Sequence, residues 1–272
     1  MLSFIKYGTG PAVWLAFHGI GQDATAFAPF GEQLGGRQMA GRRMADTHTV
    51  YSLDLPYHGL SASSQHRLTD WPLEITKTYW QRLLMEFLAT HQIDRFSVVG
   101  FSMGGRFALV TAALFADRLD ELLLLAPDGV TEDPWFRLAT STPPGRALLR
   151  FMLTHTPAFH RLGQALVRLN LLNSALLRFA EATMRTPEQR TQLYRSWTGF
   201  RTLTSNVPEL ARKLSAHGVA TYLIVGQFDA VLPRAHIQPL LRAMPTCRLL
   251  VLPTGHTSLI RRAAALWPLS TE

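Results

Sequence analysis

The chain has one cysteine, Cys247, among its 272 residues, and only three lysines, Lys6, Lys77 and Lys213. A single cysteine cannot close a disulfide within the chain, which excludes a disulfide-framed scaffold and fits a reducing compartment. No apolar run approaches the roughly 20 residues that a membrane-spanning helix needs, so no stable membrane insertion is expected. Residues 1–10 lack the basic stretch, apolar stretch and cleavage site of a secretory leader. A soluble cytoplasmic protein is therefore the expectation. Carboxylates are scarce as well: 19 acidic residues face 27 basic ones, for a formal charge of +8. An excess of this kind suits an anionic substrate, a nucleic acid or an acidic membrane surface. The arginines are mostly single, apart from pairs such as Arg42-Arg43 and Arg261-Arg262. No nucleic-acid-binding module is recognisable, so the arginines read as solvated positions on helix faces and no nucleic-acid partner is expected. No cofactor and no metal are expected either; the expected partner is a small-molecule substrate.

What the chain does have is apolar residues, 47% of the total, enough for a large core. Seven short apolar runs have strand character: 2–7, 12–17, 49–53, 96–100, 122–126, 221–225 and 248–252. Helical patterns fall at 24–34, 73–91, 103–115 and 235–243. Strands alternating with helices predict an α/β fold with a doubly wound, mostly parallel sheet, whose sites lie beyond the carboxyl ends of the strands. The alternation breaks between 127 and 217, where no run is strand-like. Pro134, Pro143-Pro144, Pro157, Pro187 and Pro208 punctuate helical segments there, with leucines such as Leu148, Leu162 and Leu176 forming an apolar face. The expected organisation is a core of 1–126 and 218–272 with an inserted helical cap at 127–217. Residues 35–43 read as a mobile basic loop.

The segment Val98-Val99-Gly100-Phe101-Ser102-Met103-Gly104-Gly105 carries the chemistry. A strand-like run ends in Gly-x-Ser-x-Gly and leads into a helix, an arrangement that sets a serine on a strained strand-to-helix turn. A serine hydroxyl is a poor nucleophile without a base in hydrogen-bond reach, and the base needs an orienting carboxylate. Both follow later in the chain, each just past a strand. Asp229 stands in Gly226-Gln227-Phe228-Asp229, and His256 in Pro253-Thr254-Gly255-His256. Alone, Asp229 reads equally as a helix cap and His256 as an ordinary loop histidine; in this order after Ser102 they read as a triad. Asp128, in Pro127-Asp128-Gly129, is the competing carboxylate, with a turn as its ordinary role. Asp54, before Pro56 and Gly59, reads as structural. An oxyanion hole needs two N–H donors, and the candidates are Met103, after the nucleophile, and Ile20 in Phe17-His18-Gly19-Ile20-Gly21. His18 reads as a brace for that loop. Trp135, Phe136, Phe151 and Trp197 are candidate lining residues, and equally candidates for plain packing.

Together His18-Gly19, Asp54-x-Pro56-x-His58-Gly59, Gly100-Phe101-Ser102-Met103-Gly104-Gly105, Gly226-x-x-Asp229 and Gly255-His256 resemble the α/β-hydrolase fold superfamily, in its capped, serine-nucleophile branch. The resemblance covers nearly everything but the cap. It implies Ser102 as nucleophile, His256 as base, Asp229 as its orienter, and Ile20 and Met103 as oxyanion donors. It is weakly specific for substrate, because function lives in the grafted site. The expectation is a serine hydrolase acting on a small, partly hydrophobic ester or related acyl compound through an acyl-enzyme. The serine motif also resembles the cofactor-free perhydrolase and haloperoxidase branch, which commonly has Gly where this chain has Arg106. Ser-x-Gly-Gly-Arg resembles the menaquinone-pathway synthase that expels pyruvate, in which the arginine binds a substrate carboxylate; that lyase reading makes Arg106 a substrate-binding residue. The cap arginines Arg146, Arg150, Arg161, Arg168, Arg178, Arg185, Arg190, Arg195 and Arg201 would suit a multiply anionic substrate. Non-catalytic binding modules of this fold often lose a triad member, whereas all three are present here.

Overall fold

A computed structural model describes residues 2–34, 38–39, 42–43, 47–62, 71–132, 134–171 and 173–267. All seven anticipated runs form strands of one sheet. In chain order the strands are β1 (Phe4–Tyr7), β2 (Ala12–Phe17), β3 (Gln38–Met39), β4 (Arg42–Arg43), β5 (His48–Leu53), β6 (Phe96–Phe101), β7 (Leu119–Leu125), β8 (Ala220–Gly226) and β9 (Arg248–Leu252). The sheet order is β1-β5-β2-β6-β7-β8-β9, with β1 antiparallel to β5 and every other pairing parallel. The expected basic loop contains the two-residue antiparallel pair β3–β4; residues 35–37 and 40–41 lie outside the described residues.

The sheet is buried on both faces because its strands are apolar at successive positions. On β2, Leu15 and Phe17 enter one core and Trp14 and Ala16 the other; on β7, Leu122 and Leu124 alternate in the same way with Leu123 and Leu125. The helices are α1 (Ala28–Leu34), α2 (Lys77–Thr90), α3 (Met103–Leu114), α4 (Pro134–Ser141), α5 (Pro143–Thr154), α6 (Thr156–Arg168), α7 (Ser174–Ala182), α8 (Pro187–Gly199), α9 (Val207–Ala216), α10 (Gln238–Ala243) and α11 (Leu259–Ala264). α2 starts four residues later than its apolar pattern, because Thr76 caps it by accepting from the Tyr79 N–H. The anticipated helix at 24–34 begins as a 3₁₀ turn, Ala24–Phe27, capped by Asp23. α11 was not apparent in the pattern; its Leu259, Ile260 and Ala263 close the second core beside Trp267.

Helices α4 to α9 fill the gap between β7 and β8, where no strand intervenes among the described residues. They do not form a single unit. Val207, Leu210, Ala211 and Leu214 of α9 join the first core with α3 and α10, as do Phe200 and Leu203. α9 is thus part of the layer on the sheet, and the segment with its own cluster of Leu153, Met184 and Leu193 is α4 to α8. The expected boundary at 217 overshoots because α9 has the same amphipathic pattern as its predecessors, and periodicity does not say which surface a face covers. Leu210→Ala should cost about 2–5 kcal/mol of unfolding free energy in urea. Leu171→Ala, at a side chain 72% exposed, should stay within about 0.5 kcal/mol.

Candidate active site

The carboxyl ends of β2, β6, β7, β8 and β9 deliver the chemically capable residues. At the end of β6, Ser102 holds φ 52° and ψ −120°, a conformation that side-chain-bearing residues rarely adopt. Two close approaches impose it. A Cβ on Gly104 would lie 1.9 Å from the Phe17 carbonyl oxygen, and one on Gly100 would lie 2.5 Å from the Gly104 carbonyl oxygen. Only hydrogen fits at either position, so α3 seats directly on the strand ends. The Ser102 carbonyl accepts from the N–H groups of Gly105 and Asp128, both at 2.8 Å, which ties the turn to the loop after β7.

Ser102 Oγ lies 2.9 Å from His256 Nε2, and His256 Nδ1 lies 2.6 Å from Asp229 Oδ2. All three side chains are buried. Asp229 Oδ2 can only accept when ionised, so the proton sits on Nδ1 and Nε2 is left to accept from the serine hydroxyl. The other oxygen, Oδ1, accepts from the Val231 and Leu232 N–H groups, both at 2.9 Å. Asp229 therefore plays the local turn role and the orienting role with separate oxygens. Asp128 is committed elsewhere: it forms a bidentate pair with Arg106, Nε to Oδ2 at 3.0 Å and Nη2 to Oδ1 at 3.3 Å.

The Ile20 and Met103 amides are the two expected oxyanion donors. Met103 opens α3, where its N–H has no intrahelical partner. Ile20 sits in the turn 18–22, which two buried histidines brace. His18 Nδ1–H donates to the Gly19 carbonyl at 2.8 Å while its Nε2 accepts from the Leu55 N–H at 3.1 Å. His58 Nδ1–H donates to the Pro56 carbonyl at 3.0 Å while its Nε2 accepts from the Gly21 N–H at 3.3 Å. Each ring needs a lone pair on Nε2, so both are neutral. Burial pushes His18 down to about 4 and His58 down to about 3. Asp54 completes the brace, accepting from the Ala24 N–H at 2.7 Å and the Leu60 N–H at 2.8 Å.

Over the site, the Phe179 ring of α7 meets the His256 ring edge-on at 5.7 Å, and the Phe101 ring lies tilted against the same imidazole at 4.8 Å. Ile20 packs against the Leu153–Met184–Leu193 cluster. The insertion therefore touches both His256 and the turn 18–22. Phe179 had no distinguishing signal in the sequence beyond its place in an apolar helix face. Trp197 is half-buried and packs edge-on against Phe136 at 5.5 Å; the side chain of Trp135 lies outside the described residues.

Arg106 is 3% exposed and does not face a substrate space. Besides Asp128, its Nη1 donates to Glu132 Oε1 at 3.0 Å and to the Leu203 carbonyl at 3.2 Å. The expected carboxylate-binding role does not fit, because two resident carboxylates already occupy the guanidinium. Among the described residues no group of three or more His, Cys, Asp or Glu side chains could hold a metal ion, and no helix is long and apolar enough to cross a membrane.

The sequence model of the alpha/beta hydrolase family matches residues 14–267. The chain belongs to the alpha/beta hydrolase family. An uncharacterized protein of Mycobacterium tuberculosis is 32% identical over 151 residues, which are 54% of this chain and 39% of that relative. The match thus spans about two fifths of that relative's length. An Abhydrolase domain-containing protein of Schizosaccharomyces pombe is 28% identical over 90 residues, 32% of this chain and 28% of the relative. Among solved structures, a hydrolase from Pseudomonas aeruginosa PA01 superposes with a TM-score of 0.65 at 21% identity, covering 97% of each chain. A thermophilic esterase from Thermogutta terrifontis gives 0.63 at 22% identity, covering 97% of this chain and 89% of the esterase. An enol-lactonase from Burkholderia xenovorans LB400 gives 0.60 at 20%, covering 97% and 93%. At these identities the likeness is one of fold within the alpha/beta hydrolase family.

The neutral His18 and His58 give the turn 18–22 a pH dependence. Each has an ordinary value of 6.5 when unfolded and a lower one when folded. Unfolding therefore takes up protons below about pH 6.5, so their contribution is full above that pH and is lost as pH falls toward about 4. For His18 alone this is on the order of 3 kcal/mol. Urea midpoints should be flat above about pH 7 and fall steeply below about pH 6, and His58→Gln should flatten part of that slope. A midpoint indifferent to pH across this range would remove the neutral pair.

Proposed function

We propose that the protein is a serine hydrolase that cleaves a small, partly hydrophobic carboxylic ester or related acyl compound. The observation that carries this reading is the continuous hydrogen-bonded line from Ser102 Oγ through His256 to Asp229. In the first step, Ser102 Oγ attacks the acyl carbonyl while its proton passes to His256 Nε2, and Asp229 stabilises the imidazolium that forms. The carbonyl oxygen becomes an oxyanion held by the Ile20 and Met103 N–H groups at the positive end of α3. His256 then hands its proton to the leaving oxygen, and the tetrahedral intermediate collapses to an acyl-enzyme. Water, deprotonated by His256, releases the acid and restores the serine.

The insertion α4 to α8 acts as the cap in this reading. Phe179 against His256 and the apolar cluster on Ile20 support an apolar component in the substrate. The lyase reading has no comparable support, since Arg106 is enclosed by Asp128 and Glu132. The perhydrolase reading would use the same serine, and no separate feature favours it.

A fluorophosphonate probe should label the protein at Ser102, and a short p-nitrophenyl ester should be turned over. Ser102→Ala should abolish labelling, and His256→Ala should lower kcat by about 10³-fold or more. If neither labelling nor turnover occurs in folded protein, the hydrolase reading fails. Arg106→Ala should instead reduce stability by about 1–3 kcal/mol, by removing the buried guanidinium and leaving the buried Leu203 carbonyl without its donor and the part-exposed carboxylates of Asp128 and Glu132 without their partner. A variant that kept its stability but lost activity through KM would return Arg106 to a substrate-binding role.

A further inference from the structure

A groove of about 630 Å³ opens between α5, α8 and the segment preceding α2. Its size is within the roughly 300–1,000 Å³ of small-molecule sites. Its lining includes five arginines: Arg146 and Arg150, one turn apart on α5, Arg190 and Arg195 on α8, and Arg201 just beyond it. None of Ser102, His256 and Asp229 lines it.

The charge in this groove is compensated only in part by the protein: Glu188, on the same helix as Arg190, feels the charge of that arginine. Glu74 pairs with Arg201, and among the described residues no carboxylate pairs with the other four. Between Asp133 and Glu181 the sequence has six arginines and no acidic residue at all. Two of the guanidinium groups are nevertheless fixed in place. Arg146 Nη1 donates to the Ser141 carbonyl at 3.0 Å, and Arg190 Nη1 to the Met184 carbonyl at 3.2 Å. Their Nε and Nη2 donors, and the whole guanidinium groups of Arg150 and Arg195, have no protein acceptor among the described residues. Like charges one helical turn apart repel, so the Arg146–Arg150 pair costs some helix stability rather than adding to it. Several cations converging on a concave surface also focus a positive potential that draws in anions.

We propose that this groove is a second binding site, for a small phosphate-bearing ligand. The planar guanidinium fork matches phosphate oxygens two at a time, and a phosphate carries enough charge to engage several arginines at once. Leu73, Leu153 and Tyr194 give the groove apolar wall as well, which fits an organic group attached to the phosphate. Leu153 and Tyr194 also belong to the cluster that packs on Ile20, so the groove and the oxyanion loop share a wall. The site does not depend on the hydrolase reading. The phosphate belongs either to a soluble ester or to a lipid headgroup, and the exposed Leu148 and Phe151 on α5 make the second source worth a separate measurement.

The test is calorimetric titration of the full chain with inorganic pyrophosphate, beside co-sedimentation with phosphatidylglycerol and phosphatidylcholine vesicles. Saturable pyrophosphate binding is expected, weakened about tenfold or more by Arg150→Gln and by Arg195→Gln, as befits loss of a charged hydrogen-bond donor. Arg178→Gln removes the same charge from an exposed position on α7 outside the groove and should leave binding unchanged. Sedimentation with phosphatidylglycerol that is lost in the same two variants and competed by pyrophosphate assigns the phosphate to a lipid. Pyrophosphate binding without sedimentation assigns it to a soluble ester. No binding to either, or equal weakening by Arg178→Gln, overturns the proposal. Thermal melts of each variant separate loss of binding from loss of fold.

Discussion

The contact between the first turn of α3 and the last residue of β2 is the constraint from which the site follows. Gly104 lies so close to the Phe17 carbonyl that a single added carbon would overlap it. That approach lifts Ser102 into positive φ and presents its hydroxyl past the edge of the sheet. It also brings the start of α3 against the turn that leaves β2, where a Cβ on Gly104 would lie 2.7 Å from the His18 carbonyl oxygen. Gly105 repeats the theme toward β7, where a Cβ would sit 2.5 Å from Pro127. Three strand ends are thereby locked to one helix terminus.

A turn that aims a backbone amide needs support from outside itself, because its N–H groups cannot all be satisfied locally. Asp54 and the two neutral histidines supply it. They bind the segments 18–24 and 54–60 through backbone N–H and carbonyl groups alone, with no ion pair between side chains. Neutral imidazole suits this place because it offers one donor and one acceptor on opposite sides of a rigid ring. A charged imidazole would lose the acceptor and leave the Leu55 or Gly21 amide unpaired. Asp229 solves a related problem at the other end of the site. One carboxylate oxygen closes its own turn and the other orients His256, so the side chain is immobilised by the backbone before it meets the ring.

Most of the sheet was legible because its signals are local. A short apolar run with both faces covered, ended by Gly, Pro or Asp, needs no distant information to be read as a strand. The serine turn, Asp229 and His256 were legible for the same reason, each lying within four residues of the end of such a run. Three features were not. Phe179 meets His256 across 77 positions, and its sequence context is that of any amphipathic helix. α9 resembles the insertion helices in pattern and differs only in what it packs against. Arg106 invited a substrate role from its spacing to Ser102, but its partners come from residues 22, 26 and 97 positions away. In each case the deciding contact is with residues distant in sequence, which a local pattern does not encode.

Arg106 also explains how the insertion can bear on the site without belonging to the sheet. Asp128 and Glu132 lie where the chain departs from β7, and Leu203 lies where it returns after α8. One buried guanidinium binds all three, from a position one turn beyond Ser102. Both roots of the insertion are therefore fastened to the helix that carries the serine, and a shift of the insertion cannot occur without disturbing that helix. The positive charge of the chain thus divides by environment. Where an arginine is enclosed, the protein supplies its counter-charges and it holds the fold together. Where arginines line the groove between α5 and α8, the protein supplies an ion-pair partner to Arg201 alone among the described residues and leaves the other four without one. The first arrangement is complete in itself, and the second is complete only with an anion from outside.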